Sequence, residues 1–269
     1  MTEPDIVPDV AKNIINIKVL SVIIAITIAI YFSMQIIDED TISLILFPIS
    51  VLFTGAAAIA ALFVSKQHWG TAVFGKSYLT LGIGYLFYTI AEITFYVLDF
   101  LGYDNYPSIA DVFFFLVYPC MAIHLFLNLR FFGIELTKVQ KIWMPIVSCT
   151  VVASYVILSI IVQENTVHND YLQIIQEFGV DFYYGLIIVS ASAVILAMVI
   201  LGSTTFRTSL LGTVWLLLLV GFLINTFGDV WYYHLEIFGM YTDQHVVNVI
   251  WYLSNMVVIY ALYKHKSVG

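Results

Sequence analysis

The stretch VLSVIIAITIAIYFSMQII, residues 19–37, contains no charged side chain. A helix rises about 1.5 Å per residue, so such a run crosses the roughly 30 Å hydrocarbon core of a bilayer. No water is present at that depth to satisfy backbone N–H and C=O groups, so only helices and closed barrels span it. A barrel strand would alternate polar and apolar residues over about 10 positions; this stretch does not alternate.

Comparable runs recur. Eight spans are expected, at about 19–37, 42–64, 77–98, 109–129, 142–163, 179–201, 209–232 and 246–263. The connections between them leave no room for a soluble domain. Of the residues, 61% are hydrophobic and only 10% charged, against about 25% charged in ordinary globular domains. The N-terminal MTEPDIVPDV is acidic and lacks the basic region and cleavage site of a signal peptide. The first span is therefore expected to be a retained helix.

Net charge is −8, but its distribution is more informative. The basic residues are Lys12, Lys18, Lys66, Lys76, Arg130, Lys138, Lys141, Arg207, Lys264 and Lys266. All fall at the ends of the chain or in even-numbered connections. The odd-numbered connections carry acids instead, among them Asp38, Asp40, Asp99, Asp104, Glu164, Asp170, Glu236 and Asp243. The positive-inside rule then places both termini in the cytoplasm and the chain in the cell membrane.

Displacing the sequence by 137 residues aligns its halves without a gap. Gly75 meets Gly212, Gly84 meets Gly221, Thr89 meets Thr226, Tyr96 meets Tyr233 and Gly102 meets Gly239. Glu92 meets Asp229, Asp99 meets Glu236, and Asp111 meets Asn248. The expected fold class is an all-α integral membrane protein with two parallel four-helix repeats, 4+4. A cytoplasmic segment 1–18 precedes the first repeat, 19–130; a linker 131–141 leads to the second, 142–264, and a tail 265–269. Parallel repeats are one plan of membrane transporters, and they also arise by duplication without transport. Ala57 with Ala61 and Ala193 with Ala197 read as close helix packing. Cys120 and Cys149 lie inside spans and read as small buried residues rather than a disulfide.

Ionisable groups inside a bilayer are costly and are kept mostly for function. Glu92 lies 16 residues beyond Lys76, about 24 Å along a helix, in the outer third. Asp229 holds the same depth in the other half. Asp111 and Asn248 enter spans 4 and 8 at about that level. These four form a polar layer with no Lys or Arg to pair with. Tyr88 and Asn225, one helical turn before Glu92 and Asp229, share their faces. The ligand-binding candidates are thus Glu92, Asp111, Asp229, Asn248, Tyr88 and Asn225. Hydrogen bonds from Tyr88, Asn225, Tyr96, Tyr233 or Thr226, protonation, and a bound cation are the open ways to satisfy the acids. Asp111 also suits the first turn of a helix capped by Ser108. His234 and His245 are the metal-ligand candidates, although their spacing matches no metal motif. His124, deeper in span 4, reads as a buried hydrogen-bonded residue.

The segment AEITFYVLDFLGYDNYPSIADVFFFLVYP, residues 91–119, resembles uncharacterised prokaryotic eight-span membrane proteins in which an acid on one helix precedes a YPSxAD…YP segment. It is similar to the membrane sensor domains that front histidine kinases and diguanylate cyclases. That resemblance implies a sensory or ligand-responsive module; a separate signalling output protein or the subunits of a membrane complex are the partners it leaves open. FGDVWYYHL at 227–235 and WYLSNMVVIYAL at 251–262 more faintly resemble lysoplasmalogenase-like membrane hydrolases. That likeness implies Asp229 and Glu92 as catalytic acid/base groups acting on lipid. A structural subunit of a larger membrane complex is the third reading. The sequence has no phosphate-binding glycine loop, HExxH or GxSxG. The last span lacks a lysine for a retinal Schiff base, so no cofactor is indicated. With no basic surface, nucleic acid is not an expected partner; the lipid bilayer is.

Overall fold

A computed structural model describes residues 15–103, 107–132, 137–166, 179–209 and 211–268. Among them are eight helices: α1 Ile17–Ile36, α2 Glu39–Gln67, α3 Phe74–Phe100, α4 Ile109–Phe131, α5 Lys138–Thr166, α6 Val180–Thr205, α7 Gly212–Ile237 and α8 Val246–Val268. All eight are long and apolar enough to cross a membrane. The protein is therefore an all-α, multi-pass membrane protein in contact with lipid. Lys12, Asp104, Asp170, most of segment 1–18 and much of linker 131–141 lie outside the described residues.

Several helices run past the expected spans. The hydropathy of α2 stops at Val64, but its helix continues through Ser65, Lys66 and Gln67. Polar side chains end an apolar run without ending the backbone ladder, which continues wherever its bonds can still be made.

The helix ends have local causes. Asn16 caps α1 by accepting from the Lys18 N–H at 3.0 Å. Gly102 and Gly239 follow the ends of α3 and α7 with φ of +73° and +59°, a conformation glycine adopts without a Cβ penalty. The Tyr103 N–H donates to the Leu98 carbonyl at 3.0 Å, and the Met240 N–H donates to the Leu235 carbonyl at 3.0 Å. The two turns are thus closed by the same bond at positions 137 apart.

Six helices form a ring. α2 packs on α3, α3 on α4, α4 on α6, α6 on α7, α7 on α8, and α8 returns to α2. α1 lies outside the ring against α8, and α5 lies outside against α6 and α7. Only 11% of the most apolar stretch of each outer helix is buried, so lipid covers most of their surface. α1 is also tied to α8 directly, where the Asn16 N–H donates to the Tyr260 hydroxyl at 2.7 Å.

One face of the protein carries the acidic connections and the other the basic ones. Toward the basic face the ring is filled by side chains, with Ala57, Ala61, Leu81, Leu125, Leu218 and Val258 fully buried. Ala193 and Ala197 are buried as well. Helices approach closely at glycine. A Cβ on Gly84 would lie 2.9 Å from the Cys120 Cβ and 3.4 Å from the Val117 carbonyl oxygen. A Cβ on Gly221 would lie 2.7 Å from the Val258 Cγ2 and 3.5 Å from the Ser254 carbonyl oxygen. The Ser254 hydroxyl donates to the Gly221 carbonyl at 2.9 Å across that contact.

Overpacking such a contact costs about 1–3 kcal/mol. Gly221→Leu is expected to lower the thermal unfolding temperature in detergent by several degrees. Gly70→Ala, whose added Cβ meets nothing within 4 Å, is expected to unfold with the wild type. Equal melting of the Gly221 variant and the wild type would contradict this account of α7 against α8.

Candidate functional site

Toward the acidic face the ring is not filled. A cavity of about 90 Å³ remains between the six helices, enough for several waters or a small ligand. Ser50 and Thr54 line it from α2, Tyr88, Glu92 and Tyr96 from α3, and Asp111, Phe114 and Tyr118 from α4. Ile188 comes from α6, Asn225, Asp229 and Tyr233 from α7, and Asn248, Trp251 and Asn255 from α8. Tyr241 adds to the lining from the α7–α8 connection. The four residues of the expected polar layer, Glu92, Asp111, Asp229 and Asn248, line this cavity together with Tyr88 and Asn225.

Asp229 is buried, and three side chains donate to its carboxylate while the Ser192 hydroxyl lies against it as well. Its Oδ2 accepts from the Asn225 Nδ2 at 2.9 Å and the Tyr118 hydroxyl at 3.0 Å. Its Oδ1 accepts from the Trp251 Nε1 at 3.1 Å. Asn225 reaches it because one helical turn separates them on the same face of α7. Tyr118 arrives from α4 and Trp251 from α8, so the carboxyl joins three ring helices. Thr226 is not among its donors; its hydroxyl accepts from Ser192 at 2.9 Å.

Glu92 stands differently. The positions 137 residues from the donors of Asp229 are Tyr88, Asn255 and Phe114. None of them donates to Glu92, and Phe114 has no polar hydrogen to offer. The polar group that Glu92 meets is the Ser50 hydroxyl, itself 2.9 Å from the Tyr252 hydroxyl. Asn255 is only 2% exposed, lines the cavity, and has no hydrogen-bond partner for its carboxamide among the described residues. The cavity thus holds one carboxyl already engaged and another with capacity to spare.

Asp111 serves as a cap as well as a lining group. The Ser108 hydroxyl accepts from the Ala110 N–H at 3.1 Å, and the Asp111 carboxylate accepts from the Ser108 N–H. This reciprocal pair starts α4. The start of α8 uses His245 in the same way: its Nδ1 accepts from the Val247 N–H at 3.2 Å. Asn248 is fixed from two sides. Its Nδ2 donates to the Asp243 carbonyl at 3.0 Å, and its Oδ1 accepts from the Tyr241 hydroxyl at 3.1 Å. Burial, with the Asp243 carboxylate nearby, raises the pKa of Tyr241 well above its ordinary value, so its hydroxyl remains a neutral donor.

The two metal candidates have other neighbours. His245 caps α8 and sets its ring edge against Trp231, with centroids 5.2 Å apart. His234 packs against Phe238 at 5.3 Å. Among the described residues no three metal-type side chains converge to hold an ion. Toward the basic face, the His124 Nδ1 lies 2.9 Å from the Ser77 hydroxyl, the buried hydrogen-bonded state expected for it. His68 and His265 lie in the same region, but the Tyr78 ring packs between His124 and His265, with centroid distances of 4.7 and 4.5 Å.

Three important residues escaped the sequence reading: Tyr118, Trp251 and Asn255. Each sits on a helix whose aromatic content reads as ordinary membrane composition. The only signal was spacing, since Asn248, Trp251 and Asn255 recur every three to four residues on α8 and so share a face.

Comparison of the chain with protein-family models, with curated proteins and with solved structures finds no match. The site must be read from its own chemistry.

Leaving a buried donor unpaired costs about 1–3 kcal/mol. Asp229→Ala strands donors on three helices and is expected to destabilise the protein by about 2–4 kcal/mol. Glu92→Gln, which disturbs one contact, is expected to stay within about 1 kcal/mol of wild type. Denaturant unfolding of both variants checks the contrast; equal losses would refute it. At the α8 start, His245→Ala is expected to cost about 1 kcal/mol and His245→Asn to restore most of it, as for a cap. A metal ligand would not be replaced by asparagine in this way.

Proposed function

We propose that this protein is a sensory membrane module that binds a small ligand in the cavity on its acidic side. The observation that carries the reading is the cavity itself, where Glu92 and Asn255 have unused bonding capacity while Asp229 is fully engaged. A group retained only to hold helices together would look like Asp229. Groups retained for a visitor look like Glu92 and Asn255. In this reading the basic connections face the cytoplasm, the acidic connections face outward, and the ligand enters from outside. The resemblance of residues 91–119 to sensor domains supports the same assignment.

The chain is also read here as a duplication, with one half related to the other by an axis along the membrane normal. The paired turns at Gly102 and Gly239 support this, as do the paired close contacts at Gly84 and Gly221. The ring supports it further, because exchanging the halves turns the α2–α8 contact into the α6–α4 contact. The axis then runs through the cavity, so Glu92 and Asp229 face each other across it. An intramembrane hydrolase is less favoured, because the Asp229 carboxylate is already occupied by the Asn225, Tyr118 and Trp251 donors.

Two measurements test this. Purified protein screened against a panel of small polar metabolites is expected to gain several degrees of thermal stability with at least one of them. Asn255→Leu is expected to lose that gain while melting normally alone. A panel without a hit, together with cavity variants that change nothing but stability, would refute ligand binding. Orientation is read separately: in whole cells an impermeant maleimide is expected to label Met240→Cys and spare Thr208→Cys. The reverse pattern would invert the topology.

A further inference from the structure

Resting on the ligand-binding reading above, we infer that the cavity takes a small organic cation, an alkylammonium or quaternary ammonium group. Three observations select this class. The first is charge. Among the 21 lining residues are three acids, Glu92, Asp111 and Asp229, and no Lys, Arg or His. Asp111 is committed to its cap and Asp229 to its donors, which leaves Glu92 as the carboxyl free to pair with a cationic guest.

The second is the wall. Ten of the 21 lining residues are aromatic. Tyr88 and Phe114 meet edge to face with centroids 5.7 Å apart beside Glu92, and Tyr232 and Trp251 meet at 5.1 Å on the far side. Ring faces attract cations, most strongly where water is excluded, and aromatic cages recognise quaternary ammonium groups. A bare metal ion would need several oxygen ligands in its coordination shell. The oxygens of Asp229 and Asn248 are already taken, and much of the remaining wall is ring carbon.

The third is the unspent polar group. The Asn255 carboxamide is buried, lines the cavity and lacks a partner among the described residues. It can accept from an ammonium N–H or from a hydroxyl carried on the same guest. A purely apolar guest would leave it, and Glu92, without compensation.

The test uses the full-length protein in detergent micelles, with tetramethylammonium and choline as cation probes. The neutral carbon isostere of choline, 3,3-dimethylbutan-1-ol, and sodium chloride serve as comparators. Binding is read by thermal shift and by tryptophan fluorescence, since Trp251 lines the wall. At least one cation is expected to bind at least tenfold more tightly than the neutral alcohol. Glu92→Gln is expected to abolish that preference while melting near wild type. Phe114→Leu, which keeps the charge and removes a ring, is expected to weaken cation binding several-fold without affecting the alcohol. The exposed rim variant Asp99→Asn is expected to bind like wild type. Equal binding of cation and alcohol would overturn the cation assignment and leave a ligand pocket. Stabilisation by sodium alone would overturn it in favour of a metal ion. Binding of none of these probes, while the metabolite panel gives a hit, would refute the class alone. Failure of both would remove the ligand-binding reading as well.

Discussion

A polar group without a partner is expensive in hydrocarbon, and the rest of this architecture follows from that cost. It forces the backbone into eight helices, and it decides how side chains are treated inside the ring. Toward the basic face the ring closes over alanine, leucine and valine, with Ser77, His124, Asn128 and His265 buried among them. Ser77 answers the Nδ1 of His124, while the His124 Nε2 and both ring nitrogens of His265 are buried without a partner among the described residues. Toward the acidic face the ring admits carboxyls, and each one must be accounted for.

The accounting differs between the halves. Asp229 receives an amide, a phenol and an indole from three helices and becomes a fixed joint of the ring. Glu92 occupies the corresponding position, but the corresponding neighbours are a tyrosine that does not donate, an asparagine turned to the cavity and a phenylalanine. Three side-chain differences therefore separate a structural acid from one that remains available. The glycine turns that end α3 and α7 are closed by the same backbone bond in both cases.

Much of this was legible in the sequence. The spans, the acidic and basic faces and the polar layer of Glu92, Asp111, Asp229 and Asn248 follow from hydropathy, charge placement and helical rise. Ser108 and Asp111 announced their cap because the capping residues are neighbours in the chain. The donors of Asp229 other than Asn225 were not legible. Tyr118 and Trp251 lie on helices distant in sequence, and only tertiary packing brings them to the carboxyl. His245 was misleading for a different reason: imidazole is a metal ligand by chemistry, and only the bond from the Val247 N–H identifies it as a cap.

The tether between Asn16 and Tyr260 gives α8 a second role. This helix carries Asn248, Trp251 and Asn255 along the cavity and, nearer its other end, the hydroxyl that holds the first residues of α1. A rotation of α8 about its own axis would swing that hydroxyl sideways and drag the start of the outermost helix with it. The other end of α1 is held as well, where the Gln35 Nε2 donates to the Gln244 carbonyl at 3.0 Å and the Gln244 Nε2 to the Ile37 carbonyl at 2.8 Å. One rigid rod thus joins the wall of the cavity to the start of the outermost helix, so the position of α1 at the basic face is set by the same element that shapes the site at the acidic one.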